Sequence, residues 1–361
     1  MRYFLASFIL SITLLCSILV DAQDGGVVMR SYIPLNSCRK SSSPLFRSDS
    51  IINIMIIADF KRLLEHRLDE PEYSQGKLFY FTRDSIPLYM DIKIRQRGNF
   101  RRQASNCTFP PLKVNFKKKS VVGTVFEGQD KIKLVTHCRE RLEYEQNIIN
   151  EYLAYRVYNR LTDYSYKVRL AKVTYIDSSG RRKPISRYGF FIETREEFER
   201  RNCVSFVETK NLHQEVVDRY QMTLLAIFQY FIGNTDWSVP NRHNIDLYVG
   251  NPIYPFIPVT FDFDFSGLVN AKYAQPQPML GINKVTDRLY RGFTRKYMEI
   301  DSVLAIFRRE EINILQEQSV LPRVTNRGTK ETTNFINSFF EEIKEAHSVK
   351  RIFIDGSRKA D

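Results

Sequence analysis

The chain has 361 residues, 43% hydrophobic and 26% charged, a balance that excludes a disordered or low-complexity protein. A formal net charge of +13 favours phosphate-bearing or acidic partners. The basic residues are spread along the whole chain with no nucleic-acid-binding motif beside them, so nucleic acid is not an expected partner.

Arg2 precedes an apolar stretch from Tyr3 to Val20, and Val20-Asp21-Ala22 places small residues where a signal peptidase reads. Residues 1–22 are therefore expected to be a cleaved signal peptide. The apolar run has about the length of a membrane span, but the Ala22 site and the lack of a basic cluster after it favour cleavage. No other segment is apolar enough to cross a bilayer. The mature protein is expected to be secreted, periplasmic or in the cell envelope, without a transmembrane anchor. Cys38, Cys107, Cys138 and Cys203 remain after cleavage, and an even number in an oxidising compartment points to disulfides. No Cys-x-x-Cys pair suggests zinc. The sequence does not choose the pairing, although Cys107 and Cys138 each border a strand of the same basic region.

Residues 23–48, rich in Ser, Gly and Arg, read as an extended leader, 49–200 as a β-rich N-terminal lobe and 201–361 as a helical C-terminal lobe. Ile51–Ile57 predicts a buried strand and 59–66 a short helix. Strands follow at 78–81 and 86–95, the second alternating Leu88, Met90, Ile92 and Ile94 with polar neighbours. Residues 112–116 and 131–135 predict two more. A helix over 143–161 carries Ile149, Leu153, Val157 and Leu161 on one face. Residues 168–176 and 188–192 read as a hairpin, 216–232 as a helix, 245–249 and 257–261 as strands, and 295 onward as mainly helical. A β-rich part followed by a helical part, with polar residues between them, predicts an α+β, protein-kinase-like two-lobed fold.

The chemistry concentrates in Gly233-Asn234-Thr235-Asp236, Asn241-Arg242-His243-Asn244 and Asp262-Phe263-Asp264. Phosphoryl transfer requires a carboxylate aimed at the attacking hydroxyl and oxygen ligands that hold Mg²⁺ or Mn²⁺ against the phosphates. Asp236 is the candidate catalytic residue. Asn244, just before a strand, and Asp262 and Asp264 are the candidate metal ligands. Asn241 remains an alternative because it stands five residues after Asp236, the Asp-to-Asn offset of ordinary kinase catalytic loops. On an extended strand Asp262 and Asp264 would both point to one side. The alternative to a metal site is plain turn chemistry, but aspartates buried among aromatics are costly without a cation or donors. His243 and the only tryptophan, Trp237, read as supports of the loop. No Ser-His-Asp or Gly-x-Ser-x-Gly arrangement is present.

Arg97-Gly98-Asn99, the strand at Lys113, the helix after Cys138, Tyr188–Glu193, the 236–244 loop and Asp262-Phe263-Asp264 occur in an order that resembles the spore-coat-protein-H (CotH) type secretory atypical kinases. The resemblance covers about residues 90–270. It implies an exported kinase that transfers phosphate from ATP to a protein or glycan hydroxyl. It also implies nucleotide-binding roles. Arg97 would stand near the phosphates and Lys113 or Lys133 on phosphate oxygens, with Glu151 or Glu145 pairing that lysine and Glu193 near a hinge between lobes. The chain lacks a Gly-x-Gly-x-x-Gly loop, and Trp237 follows Asp236 where the family has a basic residue. The alternative function is a non-catalytic envelope or cell-surface binding protein.

Overall fold

The computed structural model describes residues 41–65, 70–82, 86–209, 211–250 and 255–359, with the backbone of Val28 and Met29. The expected signal peptide lies outside these residues.

After a short strand β1 (Val28–Met29), the chain forms β2 (Ile52–Ala58), α1 (Phe60–Glu65), β3 (Ser74–Phe81), β4 (Pro87–Gln96), β5 (Leu112–Phe116) and β6 (Lys131–Val135). The long helix α2 (Leu142–Leu161) and the hairpin strands β7 (Val168–Asp177) and β8 (Ile185–Ile192) complete the first half. Alternation drives the strands: Ile54, Ile56, Leu78, Ile92, Val114, Ile132 and Val173 point into one core, whereas Asn53, Asp91 and Lys93 face outward. Each fully buried Leu or Ile contributes roughly 1.5–3 kcal/mol relative to an exposed one.

Seven of these strands close into a barrel in the order β2-β3-β4-β5-β6-β8-β7, and the closing contact is the parallel pairing of β2 with β7. A second sheet, β1-β9-β10-β11, stands in the other half, with β9 at Ser205–Glu208, β10 at Ile245–Val249 and β11 at Ile257–Thr260. The expected protein-kinase-like two-lobed fold is thereby overturned. Period-two patterning showed the strands, but not that β2 returns to β7 and removes the open edges. The second half carries the two expected strands, β10 and β11, and joins them to the unexpected β9 in a sheet of its own.

The remaining helices are α3 (Arg195–Asn202), α4 (Arg219–Phe231), α5 (Tyr297–Val320), α6 (Asn326–Lys344) and α7 (Ala346–Val349). Helix α2 is the spine of the molecule. It packs on β7 and β8 on one side and on α5 and α6 on the other, which is why it is buried nearly all round. Tyr158 of α2 stacks on Phe228 of α4 with ring centroids 4.4 Å apart. Part of the expected leader is docked: Leu45 is fully buried, and its carbonyl accepts from Arg169 Nη1 at 3.1 Å. Cys107 and Cys138 form a disulfide, and Cys203 is disulfide-bonded as well. No helix among the described residues is long and apolar enough to cross a membrane.

Candidate functional site

Asp236 is presented by a loop that begins where α4 ends. Gly233 takes a left-handed φ of 63°, and a side chain there would meet Phe335 at 3.0 Å, so glycine is required by both backbone and space. The Gly267 amide donates to the Gly233 carbonyl at 3.0 Å, tying this loop to the segment after Asp264. Asn234 Oδ1 accepts from the Asp236 amide at 2.9 Å, a local turn of the Asx type. The bridge between Ser238 and His243 closes a small hairpin that returns the chain to Asp236. There His243 Nε2 lies 2.8 Å from Asp236 Oδ1, and Asn244 Nδ2 donates to the Asp236 carbonyl at 2.8 Å and to Oδ2 at 3.1 Å. Both carboxylate oxygens are thus oriented by the loop's own residues. Trp237 is buried at its base, and Arg291 Nη1 donates to its carbonyl at 2.9 Å.

Asp262 and Asp264 follow β11, but not as an extended strand. Asp262 has φ 64°, a left-handed conformation, and its amide donates to Tyr155 Oη at 2.9 Å. The expectation that simple alternation aligns the two carboxylates is corrected: β11 ends at Thr260, and a turn carries Asp264 inward. Both carboxylates nonetheless reach one guanidinium, Arg101, with Nη2 to Asp262 Oδ1 at 3.9 Å and Nε to Asp264 Oδ2 at 3.4 Å. Arg101 Nη1 also approaches Glu151 Oε2 at 3.5 Å, and Tyr273 Oη donates to Asp264 at 2.9 Å. Asp262 is the accessible member, its side chain 42% exposed against 8% for Asp264.

The electrostatics follow from this crowding. Burial pushes the Glu151 carboxyl up, and Asp264 and Asp262 add to the rise while Arg101 opposes it. Burial likewise raises Asp264, with Arg101 opposing and Asp262 and Asp236 adding repulsion. Burial would lower Arg101, but the surrounding carboxylates hold its pKa well above the ordinary value.

Two further cations flank Asp262. Lys133 on β6 is pushed down to about 8, first by burial and then by Arg97. Arg97 is pushed down by burial and by Arg101, while Asp262 supports its charge. Among the described residues neither Arg97 nor Lys133 forms an ion pair; Lys133 Nζ sits 5.5 Å from the centre of the Phe261 ring. Lys113 shares Lys133's face, because the two are paired across β5 and β6, and burial together with Arg95 lowers its pKa.

The structure brings together Asp236 with Asn244, and Arg97, Lys133 and Glu151 with Asp262 and Asp264. It commits two of the glutamates elsewhere. Glu193 accepts from Arg201 at 2.8 Å and from the Lys167 amide at 3.0 Å. Glu145 accepts from Lys172 Nζ at 3.1 Å and from the Tyr188 amide at 2.7 Å. Glu151 is paired with Arg101, not with Lys113 or Lys133. Asn241 donates its amide to Ser238 Oγ at 3.3 Å and shapes the hairpin. Arg101 is the central residue that sequence reasoning missed. Its only signal was a place in the basic run Arg95–Arg102, four residues after Arg97.

Among the described residues no group of three or more His, Cys, Asp or Glu side chains is arranged to hold a metal unaided. The donors still suit Mg²⁺ or Mn²⁺, because Mg²⁺ commonly takes one or two carboxylates and completes its shell with phosphate and water oxygens. Asp262 is accessible, and the amide oxygen of Asn244 remains after Nδ2 has bonded Asp236. Asp264 is already held by Arg101 and Tyr273.

Compared with protein-family models and with curated proteins, the chain matches none.

Proposed function

We propose that this cluster binds a metal–nucleotide complex, with ATP as co-substrate, and transfers the terminal phosphoryl group to a hydroxyl of a protein or glycan acceptor. The observation that carries the proposal is the pair Arg97 and Lys133: two crowded cations that form no ion pair among the described residues, beside the accessible carboxylate of Asp262. Arg97 and Lys133 would hold a polyphosphate, and Asp262 and Asn244 would hold a divalent cation. The cation supplies charge neutralisation of the phosphates.

The chain's own residues do the rest. Lys133 and Arg97 hold phosphate oxygens, with Lys113 extending the basic face. Glu151 fixes Arg101, which holds Asp264. Asp236, with its oxygens oriented by His243 and Asn244, takes the proton of the acceptor hydroxyl. That oxygen bonds to the terminal phosphorus as the bond to the bridging oxygen breaks, releasing the nucleoside diphosphate. The reading rests in part on the ordered resemblance of residues 90–270 to CotH-type kinases, and the disulfide suits an exported protein.

A second reading, binding without turnover, is favoured by one observation: Arg101 already occupies both Asp262 and Asp264. Thermal shift with ATP, with and without Mn²⁺, on the wild type and on Asp262→Ala tests the site. Metal-dependent stabilisation that the variant lacks is expected from mass action. Absence of any shift at millimolar nucleotide sinks the proposal. Binding without phosphate release or transfer selects the second reading.

A further inference from the structure

Two cavities at the N-terminal end of α2 adjoin one another, because Tyr144 and Lys272 line both. The first, about 560 Å³, is a basic mouth formed by Arg139, Arg141, Arg182 and Lys272, with Glu140 its only lining carboxylate. The second, about 840 Å³, is a groove between α2, the 267–272 segment and the start of α6. Its walls are rich in amides and hydroxyls, among them Asn147, Asn270, Asn334 and Thr286, with Phe335 as an aromatic wall, and its charged lining balances, Glu143 and Glu331 against Lys272 and Arg327.

We propose that this continuous cleft binds an acidic oligosaccharide, with its negative groups in the mouth and its sugar rings in the groove. The mouth is built against its own charge. Arg141 occupies the N-cap of a 20-residue helix without a capping hydrogen bond, where Ser, Thr, Asp or Asn is favoured and a cation opposes the helix dipole. Its side chain makes no hydrogen bond or ion pair among the described residues. Arg182 is only 4.0 Å from Glu140, a long contact between exposed groups, and the Lys272–Glu143 pair at 2.6 Å is equally exposed. Arg139 is held by Nε donating to the Asn106 carbonyl at 3.0 Å, and Lys272 by its bond to Glu143, which leaves Arg141 and Arg182 as the least constrained cations.

The groove asks for hydroxyls. Among the described residues the side chains of Asn270 and Asn334 make no hydrogen bond, so their donors and acceptors are available. Buried Asn150 and Gln146 bond each other at 3.0 Å and make a rigid floor, with Asn150 also donating to the Leu268 carbonyl at 3.1 Å. A row of amides beside an aromatic surface matches a sugar's alternating hydroxyl and C–H faces, whereas a drug-like apolar ligand would waste the amides. The inference does not depend on phosphoryl transfer.

The test is titration calorimetry of the mature protein with a hexagalacturonate, a heparin-derived hexasaccharide and maltohexaose, at low and physiological salt. Arg141→Glu/Arg182→Glu probes the mouth and Asn334→Ala/Phe335→Ala the groove. At least one acidic hexasaccharide is expected to bind, about tenfold or more above maltohexaose; binding of the hexagalacturonate shows that carboxylate suffices, and binding of the heparin fragment alone shows that sulfate is required. Both double variants are expected to weaken it at least about tenfold. Equal binding of maltohexaose overturns the role of the mouth, and undiminished binding by the groove variant shows charge attraction alone and overturns the proposal. No binding of any hexasaccharide overturns it too. Nucleotide-induced thermal shift of the Arg141→Glu/Arg182→Glu protein separates this failure from failure of the phosphotransfer site, and serves with circular dichroism as the control for folding.

Discussion

Replacing Arg101 by Leu would remove the cation that three carboxylates share. In the wild type the guanidinium lies 3.5 Å from Glu151 and 3.4 Å from Asp264, and both of those side chains are nearly inaccessible. Leucine keeps much of the volume but leaves two buried carboxyl groups without their counter-charge. Breaking a buried pair from one side costs about 3–5 kcal/mol, so a loss of that size is expected near pH 7.5. Part of it is recovered by protonation. Glu151 and Asp264 already have raised pKa values, chiefly from burial, and Arg101 is what holds them down. Their pKa values should rise further in the variant. A carboxyl whose folded pKa is raised stabilises below its unfolded pKa and loses that contribution as pH climbs through the folded value. The penalty of the substitution should therefore shrink as pH falls, by up to about 1.4 kcal/mol per pH unit for each group that protonates. Urea unfolding of wild type and variant at pH 5, 6, 7 and 8 reads this directly, with the triple substitution Arg101→Leu/Glu151→Gln/Asp264→Asn as control. The control should recover most of the loss at pH 8, because neutral amides demand no counter-charge. A loss under about 1 kcal/mol, the range of an exposed pair, or one that does not depend on pH, would refute the electrostatic account of this cluster.

Other outcomes follow from single residues. His137 is fully buried between Phe109 and Tyr175, neither ring nitrogen has a partner among the described residues, and burial lowers its pKa to about 3. Its folded pKa is depressed, so its contribution is intact above about 6.5 and falls by about 1.4 kcal/mol per unit as pH drops towards 3; His137→Phe should flatten the acid limb of a stability–pH curve. An unchanged acid limb would show that His137 is solvated. Cys107→Ala/Cys138→Ala opens a link across a sequence separation of 31 residues, and the loop-entropy model gives a loss of about 3–4 kcal/mol, read as a lower urea midpoint. Gly267→Ala places a methyl group 2.5 Å from the Val285 carbonyl oxygen and 3.0 Å from Phe335, behind the Asp236 loop. It should cost about 1–3 kcal/mol and weaken nucleotide-dependent stabilisation, whereas a fully stable, fully responsive variant would show that the Gly233–Gly267 contact does not position the loop. Asp236→Asn should keep metal-dependent nucleotide binding and lose transfer; retained turnover would remove Asp236 from the proposed mechanism.

What the sequence made legible was local. The strands Leu112–Phe116, Lys131–Val135 and Ile245–Val249 were read with their observed limits, because alternation and β-branched residues mark a pleated, half-buried surface without reference to any partner. β9 escaped notice because four residues, Ser205–Glu208, are too few to show a period. Barrel closure had no local signature: Ile52–Ala58 would read the same at an open edge as it does paired in parallel with β7. The disulfide pairing was left open by the sequence, which offered only that Cys107 and Cys138 border strands of one region; Phe109 donating its amide to the Cys138 carbonyl at 2.8 Å shows the two segments held side by side.

The candidate site divides in the same way. Asp236 and Asn244 are eight residues apart in one hairpin, so their meeting was a short-range inference from a turn-rich stretch. Arg101 meets Glu151 and Asp264 across separations that only the packed fold can supply. The residues whose chemistry the site depends on most are thus those with the weakest sequence signal, and there is a physical reason for it. A loop carboxylate needs local bonds to hold its orientation, which leave a motif. A buried cation needs only counter-charges from elements already packed against it. β6 carries Lys133, β11 leads into Asp262, and α2 presents Glu151 between them. It is the docking of the barrel's outer face against α2 and the second sheet that turns an unremarkable run of arginines into the centre of a charged site.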